Sequence, residues 1–448
     1  DPDTNAGRAA NGASGTQLIP EAMVNWDGTD TDWLDLVLDP ATLQNYDMSV
    51  RGGAENFNYF VSGGYVDQGG VIEGSAFQRL ALRANLTLKA TEKLEVNTDL
   101  NVAYADHDRK AANAPYFGRP PGIIYSAMVS SPVAKVYDEN GNYLQAGTSS
   151  INSLGNGMTT TNHALAVRDY IDDELQTGRI FGSLGANYAL RDNLRYNLLV
   201  GFSYDTNNRN FYQGTQLQYR GSQTPQPYAQ SFSGQQYSWL IENTANYNKS
   251  VGVHDFDVLV GYTAEKQFEE SKYVIARNFP DDQVKTVNGG EITGGGQTQE
   301  EWSLVSVLGR VNYSLKDRYL ATVTFRSDRS SRFGWGNQTG YFPSVSLGWQ
   351  MTQEPFMRGV ELFSQLKPRV SYGVTGNFNI PNYGSIGLVG STPYVLGDQL
   401  VPGATQNTLG NEDLTWETTR QLNMGVDYGI LGDRIYGTFD SVSYTHLT

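Results

Sequence analysis

Connections of alternating length run through this chain, and they restrict its fold more than any single motif does. From Leu43 onward, segments of about ten to fifteen residues with period-two hydrophobicity are joined by a short turn and then by a long loop. The short turns are Gly53–Glu55, Ala90–Thr91, Arg191–Asn193, Lys316–Asp317 and Leu431–Asp433. The long loops are Asp67–Ala76, His107–Thr177, Asn207–Gly234, Gln267–Glu300, Asp328–Gly340 and Gly376–Leu414. Antiparallel strands with their turns sorted in this way are typical of a transmembrane β-barrel, so an all-β protein of the outer membrane is predicted.

Within the predicted strands, apolar and polar side chains alternate. In the segment beginning at Leu80, Leu82 and Leu86 lie on one face, and Arg83 and Asn85 lie on the other. Because side chains of a strand alternate between faces, we expect the apolar series to face lipid and the charged series to face the lumen. The charged residues predicted to face the lumen are Arg83, Glu95, Asp99, Arg195, Glu242, Asp257, Arg310, Arg326, Arg369 and Asp427. A soluble two-layer fold is disfavoured because its strands usually have about five or six residues, whereas about nine to eleven span a membrane.

Composition is compatible with a barrel and excludes other classes. The chain has 448 residues and no cysteine, so it has neither a disulfide framework nor thiolate metal ligands. A net charge of -15 without a basic patch argues against nucleic-acid binding. No apolar run approaches the roughly 18 residues of a membrane helix. Many strands end in tyrosine or tryptophan, among them Tyr104, Tyr204 and Trp349, which is typical of an aromatic girdle.

Several motifs together resemble the SusC/RagA-like family of TonB-linked outer-membrane transporters. The segment RSDRSSRFG at Arg326–Gly334 and the following Gly340–Trp349 are the most specific of them. The others, in chain order, are Thr31–Asp35, Gln44–Gly53, Tyr59–Gly70, Phe77–Leu86, Gly309–Leu320, Ser371–Asn377 and Asn411–Asn423. The resemblance covers nearly everything from Thr31 to Asp440, with the motifs in the order of the family.

The resemblance implies active import of a bulky nutrient, an oligosaccharide or a peptide, across the outer membrane. It also implies that energy arrives from the inner membrane through the TonB complex, and that a SusD-type surface lipoprotein caps the extracellular side. TonB coupling in this family involves a plug domain, which is expected to be missing from these residues.

The predicted organisation has three parts. Residues 1–42 form a connecting segment, residues 43–440 form the strands and extracellular loops of a TonB-dependent-receptor-type barrel, and residues 441–448 form a tail that departs from the pattern. About fourteen strands are predicted, whereas plugged transporters of this kind close at roughly twenty-two. An incomplete barrel is therefore expected, and we expect that it does not transport alone, because open sheet edges are unfavourable in lipid.

Catalytic and metal-binding chemistry is not indicated, so neither an enzyme nor a cofactor is predicted. The four histidines have no metal-ligand spacing and are expected to be solvated, and no serine elbow or cysteine nucleophile is present. Asp27–Asp32 and Asp138–Asn142 resemble calcium loops, but both lack the closing glutamate, so turns are the preferred interpretation.

Substrate contacts are predicted in the long loops, where aromatic faces and guanidinium groups suit sugar rings or peptide backbones. The predicted contacts are Tyr116, Phe117, Arg119, Tyr212, Trp335 and Tyr394, with Phe211, Tyr219 and Arg220 as further candidates. The alternative for each is packing inside a folded loop or against the partner lipoprotein. Arg326, Arg329 and Arg332, with Asp328, are interpreted either as substrate contacts or as an ion-pair network that fixes the loop.

Two other functions stay open at this point. A passive porin-like or autotransporter-type barrel would need no plug, so the sequence upstream of this chain would distinguish it from an importer. A secreted all-β glycan-binding protein is favoured only by the polar average, a mean hydropathy of -0.44. Partitioning into detergent would exclude that second alternative.

Overall fold

Fourteen strands form one antiparallel sheet in the computed structural model, which describes residues 28–112, 122–145, 163–218 and 226–447. They are β1 (Leu43–Ala54), β2 (Phe57–Gly69), β3 (Ala76–Lys89), β4 (Leu94–Asp108), β5 (Ile171–Arg191), β6 (Leu194–Gln213), β7 (Tyr228–Val251), β8 (His254–Arg277), β9 (Glu291–Leu315), β10 (Tyr319–Ser330), β11 (Thr339–Trp349), β12 (Phe363–Asn377), β17 (Glu417–Ile430) and β18 (Ile435–Leu447). The short strands β13 (Val389–Ser391), β14 (Tyr394–Leu396), β15 (Gln399–Val401) and β16 (Ala404–Gln406) lie outside this sheet, in the loop between β12 and β17. Neighbours in the sheet are neighbours in sequence, and among the described residues β1 and β18 each pair on one side only. The predicted all-β, fourteen-stranded, unclosed barrel sheet is thus confirmed.

Short and long connections alternate between the two ends of the sheet, as predicted. At the turn end, Lys316 and Asp317 both have a φ of 55°, the left-handed conformation that a tight type I′ hairpin requires. Gly252, with a φ of 63°, serves the turn between β7 and β8. The longest turn-end connection, residues 350–362, contains the 3-10 turns Met351–Gln353 and Pro355–Met357. The opposite end carries the six loops predicted to be long and is called the loop end below. The sorting by length is not strict, because the connection 350–362 at the turn end is longer than the loop-end connections 70–75 and 331–338.

Strand register places apolar and polar side chains on opposite faces of the whole sheet, because directly paired residues of neighbouring strands point the same way. One row on the outer face consists of Leu82, Val102, Ile180, Tyr204, Tyr237 and Phe268. One row on the inner face consists of Asn248, Asp257, Asn312, Thr322, Ser346, Ser371 and Asn423. All the charged residues predicted to face the lumen lie at strand positions that point to this inner face. The predicted two-faced sheet is therefore confirmed.

Strands β5 to β9 are longer than predicted, with 20 to 25 residues each. Residues assigned to loops, such as Gly294–Gln299, are instead paired with β8. These extensions carry glycine, glutamine and other polar residues on both faces, so period-two hydrophobicity is absent although the backbone ladder continues. Outside the bilayer no lipid imposes an apolar face, and the sequence pattern therefore ends before the strand does.

The chain end also differs from its prediction. Residues 441–447 lose the expected alternation, yet β18 stays paired with β17 up to Leu447 opposite Thr418. The register places Val442 and Tyr444 at positions on the inner face of the sheet. The apolar residues therefore change face here, while the backbone hydrogen bonding continues. The strand β1 begins at Leu43 as predicted, and the function of residues 1–42 as a connecting segment stays a prediction.

Two separate hydrophobic clusters fill the inner side of the loop end. The first loop core contains the helices α1 (Ile123–Val129) and α2 (Ala164–Tyr170), and its buried members are Trp33, Val37, Ile72, Ile123, Ala127, Ala164, Leu165, Ala166, Val167, Ile171, Phe211 and Leu217. The second loop core consists of Trp302, Leu304, Phe333, Phe342 and Trp416. Among the residues described, no helix has both the length and the apolar character needed to cross a membrane.

Candidate functional site

The predicted substrate contacts lie at different places of the loop end. Tyr116, Phe117 and Arg119 lie outside the described residues, as do Tyr219 and Arg220. Tyr212, Trp335 and Tyr394 are described, and no hydrogen bond or ring contact joins any two of the three there. The structure therefore does not assemble them into one site, and the prediction that each contacts substrate stays a prediction.

Tyr212 is packed on the outer face of the sheet, with 4% of its surface exposed. Its hydroxyl donates to Asp282 Oδ1 at 2.7 Å, and its ring meets Phe279 edge-on with centroids 5.2 Å apart. Burial and the hydrogen bond to Asp282 raise the pKa of Tyr212. Lys285 lies over the same ring at 5.9 Å and pairs with Asp172 at 2.7 Å. These contacts favour the packing alternative for Tyr212.

Trp335 and Tyr394 are exposed, each on its own loop. Trp335, in the loop between β10 and β11, is 91% exposed, and the Arg329 guanidinium lies 6.0 Å from its ring. Tyr394 begins β14 (Tyr394–Leu396), which pairs with β15 (Gln399–Val401) in the loop between β12 and β17. The same loop holds the pair β13 (Val389–Ser391) and β16 (Ala404–Gln406). Both rings are free to meet another molecule.

The loop between β12 and β17 presents many exposed apolar side chains, and residues 386–409 are called the apolar arm below. Val389 is 74% exposed, Leu400 is 72% exposed and Leu409 is 85% exposed. Further exposed members are Ile386, Tyr394, Val395 and Leu396. Several exposed apolar side chains on one loop are typical of a surface for contact with another protein or with a membrane.

Only one of the three clustered arginines forms the expected ion pair. Arg326 Nε contacts both carboxylate oxygens of Asp328, at 2.7 and 2.8 Å. Arg329 donates instead to Gln338 Oε1, and Arg332 donates to Asn379 Oδ1 at 3.2 Å. The interpretation as a single ion-pair network is therefore wrong, because Arg329 lies on the outer face whereas Arg326 lies on the inner one.

Arg332 belongs to the second loop core, where its guanidinium contacts aromatic rings. Its Cζ lies 5.0 Å from the Trp302 ring centroid and 5.3 Å from that of Phe378. Burial lowers the pKa of Arg332, and its Nε is buried without a hydrogen-bond acceptor. In the same core Phe342 lies against Gly376, where an added Cβ would come within 2.1 Å of the Phe342 ring. This core is tightly packed and has a partly buried cation against its rings.

A pocket lies on the inner face of β6, β7 and β8. Of its residues, the sequence predicted only Phe211 as a substrate contact. It has a volume of about 270 Å³ and is lined by Arg209, Phe211, Gln213, Gln226, Tyr228, Gln230 and Arg277. We call it the arginine pocket. Strand register brings its residues together. Gln213, Tyr228 and Arg277 form one row on the inner face, and Phe211 pairs with Gln230. Apart from Phe211 they went unrecognised because they lie in segments assigned to unpaired loops.

In the arginine pocket two guanidinium groups flank two aromatic rings. Arg209 Cζ lies 5.4 Å from the centroid of Phe211, and Arg277 Cζ lies 5.1 Å from that of Tyr228. The two rings are in contact, with centroids 5.8 Å apart and planes tilted by 58°. Such an array can bind a group that has both a flat apolar face and a negative charge.

The carboxylate of Asp173 neutralises one side of this pocket. Arg209 binds it with two nitrogens, at 2.7 and 3.0 Å, and Arg109 Nη2 binds it at 2.7 Å. Arg277 forms no salt bridge among the described residues. Glu291 stands opposite Arg277 in β9, but its carboxylate accepts from Asn278 Nδ2 at 2.7 Å. The pocket therefore carries excess positive charge in a chain whose net charge is -15.

Two features first examined for metal chemistry have structural roles. His163, expected to be solvated, is instead buried, with 5% of its surface exposed. It caps α2, where its Nδ1 accepts a hydrogen bond from the Ala166 N–H. Its Nε2 contacts the Val136 carbonyl at 3.0 Å. Burial lowers the pKa of His163 to about 4. Asp138 Oδ1 accepts from the N–H groups of Asn140 and Asn142, as a turn residue does. In the described part of the chain no cluster of three or more acidic or histidine side chains could hold a metal ion.

Comparison with known proteins gives consistent matches. The family model described as TonB dependent receptor-like, beta-barrel matches residues 133–447. TonB-dependent receptor P3 of Formosa agariphila is 30% identical over 420 residues, which are 92% of this chain and 40% of that protein. TonB-dependent receptor SusC of Bacteroides thetaiotaomicron is 28% identical, over 92% of this chain and 42% of that protein. The chain thus spans about two fifths of the length of these curated relatives.

Among solved structures, the RagAB peptide transporter is similar with a TM-score of 0.76 at 23% sequence identity. The similarity covers 93% of this chain and 46% of that one. It extends the match to the level of the fold.

Proposed function

The chain belongs to the TonB-dependent receptor-like β-barrel family, and we propose that it forms part of an outer-membrane importer of bulky nutrients, either oligosaccharides or peptides. The observation that carries the proposal is the two-faced sheet, apolar outside and polar inside, with folded loops on the inner side at one end. That arrangement supports a membrane barrel with a substrate-binding mouth. Coupling to the TonB complex is proposed from the family alone.

The apolar arm supports a protein partner at the loop end. Its exposed side chains would be unfavourable in water unless another surface covers them. We propose that a SusD-type surface lipoprotein covers the arm, because the arm lies among the extracellular loops.

Uptake by the complete gene product that contains this chain tests the import function. Cells with and without the gene are given fluorescent oligosaccharides and peptides, each with and without an uncoupler of the inner-membrane proton gradient. Uptake that needs both the gene and the gradient supports an energised importer. Uptake that needs the gene but persists in the uncoupler supports a passive pore and contradicts the proposal.

Co-purification tests the partner. The double substitution Leu396→Glu and Leu400→Glu places two charges on the apolar arm, and we expect it to abolish recovery of the lipoprotein encoded beside the complete gene. Val253→Glu, at the turn end, is the matched control, because Val253 is also exposed but lies at the opposite end of the sheet. Equal recovery from both variants would exclude the arm as the contact surface.

A further inference from the structure

The arginine pocket combines features that select a particular kind of ligand group. Its residues share the inner face at the loop end, where an imported molecule first meets the barrel. Its volume of about 270 Å³ is slightly below the roughly 300–1,000 Å³ typical of sites for whole small molecules. The pocket therefore suits one unit of an oligomer.

Charge distinguishes Arg277 from the other cations around the pocket. Arg109 and Arg209 share the carboxylate of Asp173, whereas Arg277 touches only the Tyr228 ring among the described residues. A guanidinium binds a carboxylate through two parallel hydrogen bonds, and this geometry favours Arg over Lys. Arg277 is thus an exposed cation with no ion pair among the described residues, in a chain whose net charge is -15.

The walls of the pocket indicate what carries that anion. The partly exposed ring of Tyr228 offers an apolar surface beside Arg277, and the Phe211 ring, only 7% exposed, packs against it at a tilt. The Tyr228 hydroxyl donates to Gln230 Oε1 at 3.0 Å, which directs the amide nitrogen of Gln230 to act as a donor elsewhere. A sugar ring or a side chain with a carboxylate would meet the rings, the amide and the guanidinium together.

We propose that the arginine pocket binds the carboxylate of an acidic unit in the transported oligomer, an inference that rests on the proposed import function. The carboxylate pairs with Arg277, while the body of the unit lies against the ring of Tyr228, which Phe211 supports from within the first loop core. Uronic-acid oligosaccharides and glutamate-containing peptides share this chemistry. The pocket therefore selects acidic oligomers over neutral ones of the same length.

Calorimetric titration of the purified complete gene product tests the inference. The probes are trigalacturonate with maltotriose as its neutral counterpart, and triglutamate with triglutamine. The substitution Arg277→Gln is expected to weaken binding of the preferred acidic probe about 10- to 100-fold, as the loss of a charged hydrogen bond predicts, and to leave the neutral probe unchanged. Arg277→Lys should restore part of the affinity, because it keeps the charge but not the planar fork.

Lys249→Gln is the matched control, since it removes the same charge from the far end of β7. Folding of each variant is checked by the heat-modifiable gel mobility of the barrel. Preference for trigalacturonate or for triglutamate identifies the source of the carboxylate. Equal binding of acidic and neutral probes, or an equal loss of both in Arg277→Gln, would overturn the inference while gene-dependent uptake still stands. Absence of uptake of every oligomer would overturn the import function itself, and this inference with it.

Discussion

The two loop cores fill the same side of the same sheet, yet they are built from different chemistry. The first loop core is mainly aliphatic, from Ile123 and Val37 to the helix α2, and the ammonium group of the partly buried Lys110 donates to the carbonyls of Arg168 and Ile171 beside it. The second loop core is mainly aromatic, and the partly buried guanidinium of Arg332 lies against two rings. The difference indicates that either type of side chain can fill the loop end, and that a cation is accommodated by backbone carbonyls at one core and by aromatic rings at the other.

The largest expected effect comes from removing an aromatic side chain from the second loop core. Phe333 is 2% exposed, so Phe333→Ala should cost about 3–5 kcal/mol of local stability through lost contacts and a cavity. Hydrogen exchange of the amides of the loop between β10 and β11, in the complete gene product, measures this cost. Trp335→Ala on the same loop is the control and should change little, because Trp335 is almost fully exposed. Equal effects of the two substitutions would mean that the second loop core does not hold this loop.

A smaller effect, and one specific to the first loop core, is expected from pH. His163 titrates at 6.5 when unfolded and at about 4 when folded, so the folded state binds its proton less readily. The contribution of His163 to the free energy of unfolding is complete above pH 6.5 and is lost as pH falls toward 4. This contribution amounts to about 3 kcal/mol. Unfolding of the α1–α2 region, followed by hydrogen exchange between pH 7 and pH 4, measures it.

His163→Asn supplies the control for that experiment. Asparagine keeps an acceptor at the start of α2 but does not titrate, so the pH dependence of the first loop core should flatten. The second loop core has no buried histidine among its members, and its exchange should be less affected over the same pH range. An equal loss of protection from exchange in both cores would indicate that acid destabilises the whole loop end, and that His163 is not the cause.

Arg332 tests whether the cation inside the second loop core is needed for its stability. Arg332→Lys should cost about 1 kcal/mol, because an ammonium has no planar face to lay against the rings of Trp302 and Phe378. Arg332→Met should cost less, since it keeps the apolar volume and leaves no buried charge unpaired. Exchange rates of the loop amides compare the two. A greater loss in Arg332→Met would show that charge, and not filled volume, holds this core together.

The two cores also show where prediction from sequence reaches its limit. The apolar row through Leu82 and Ile180 was predictable because lipid forces every second residue of each strand to be apolar. The contacts of Trp33 with His163, or of Arg109 with Asp173, join residues far apart in sequence, and no periodicity signals them. They depend on how loops fold over one another after the sheet has formed.

One pair of neighbours illustrates the same limit for the candidate site. Phe211 and Tyr212 are adjacent aromatic residues that looked equivalent in sequence, but they lie on opposite faces of β6. Phe211 faces the arginine pocket, and Tyr212 packs outside against Phe279. The prediction assigned both to a loop, where alternate residues do not point to opposite faces. Only the extension of β6 up to Gln213 gives each residue a face, and hence gives Phe211 its place in the pocket.

The smallest expected effect concerns the charged rim of the first loop core. Arg168 contacts Glu73, Asp169 and the Leu36 carbonyl, which links α2 to the segments before β1 and β3. Because Glu73 is 59% exposed, Glu73→Gln should cost no more than about 1 kcal/mol, and less in high salt. Hydrogen exchange at α2 in low and high salt measures it. A cost well above this, unaffected by salt, would mean that the rim charges act as part of the core, as Arg332 does in the other one, and the contrast between the two loop cores would disappear.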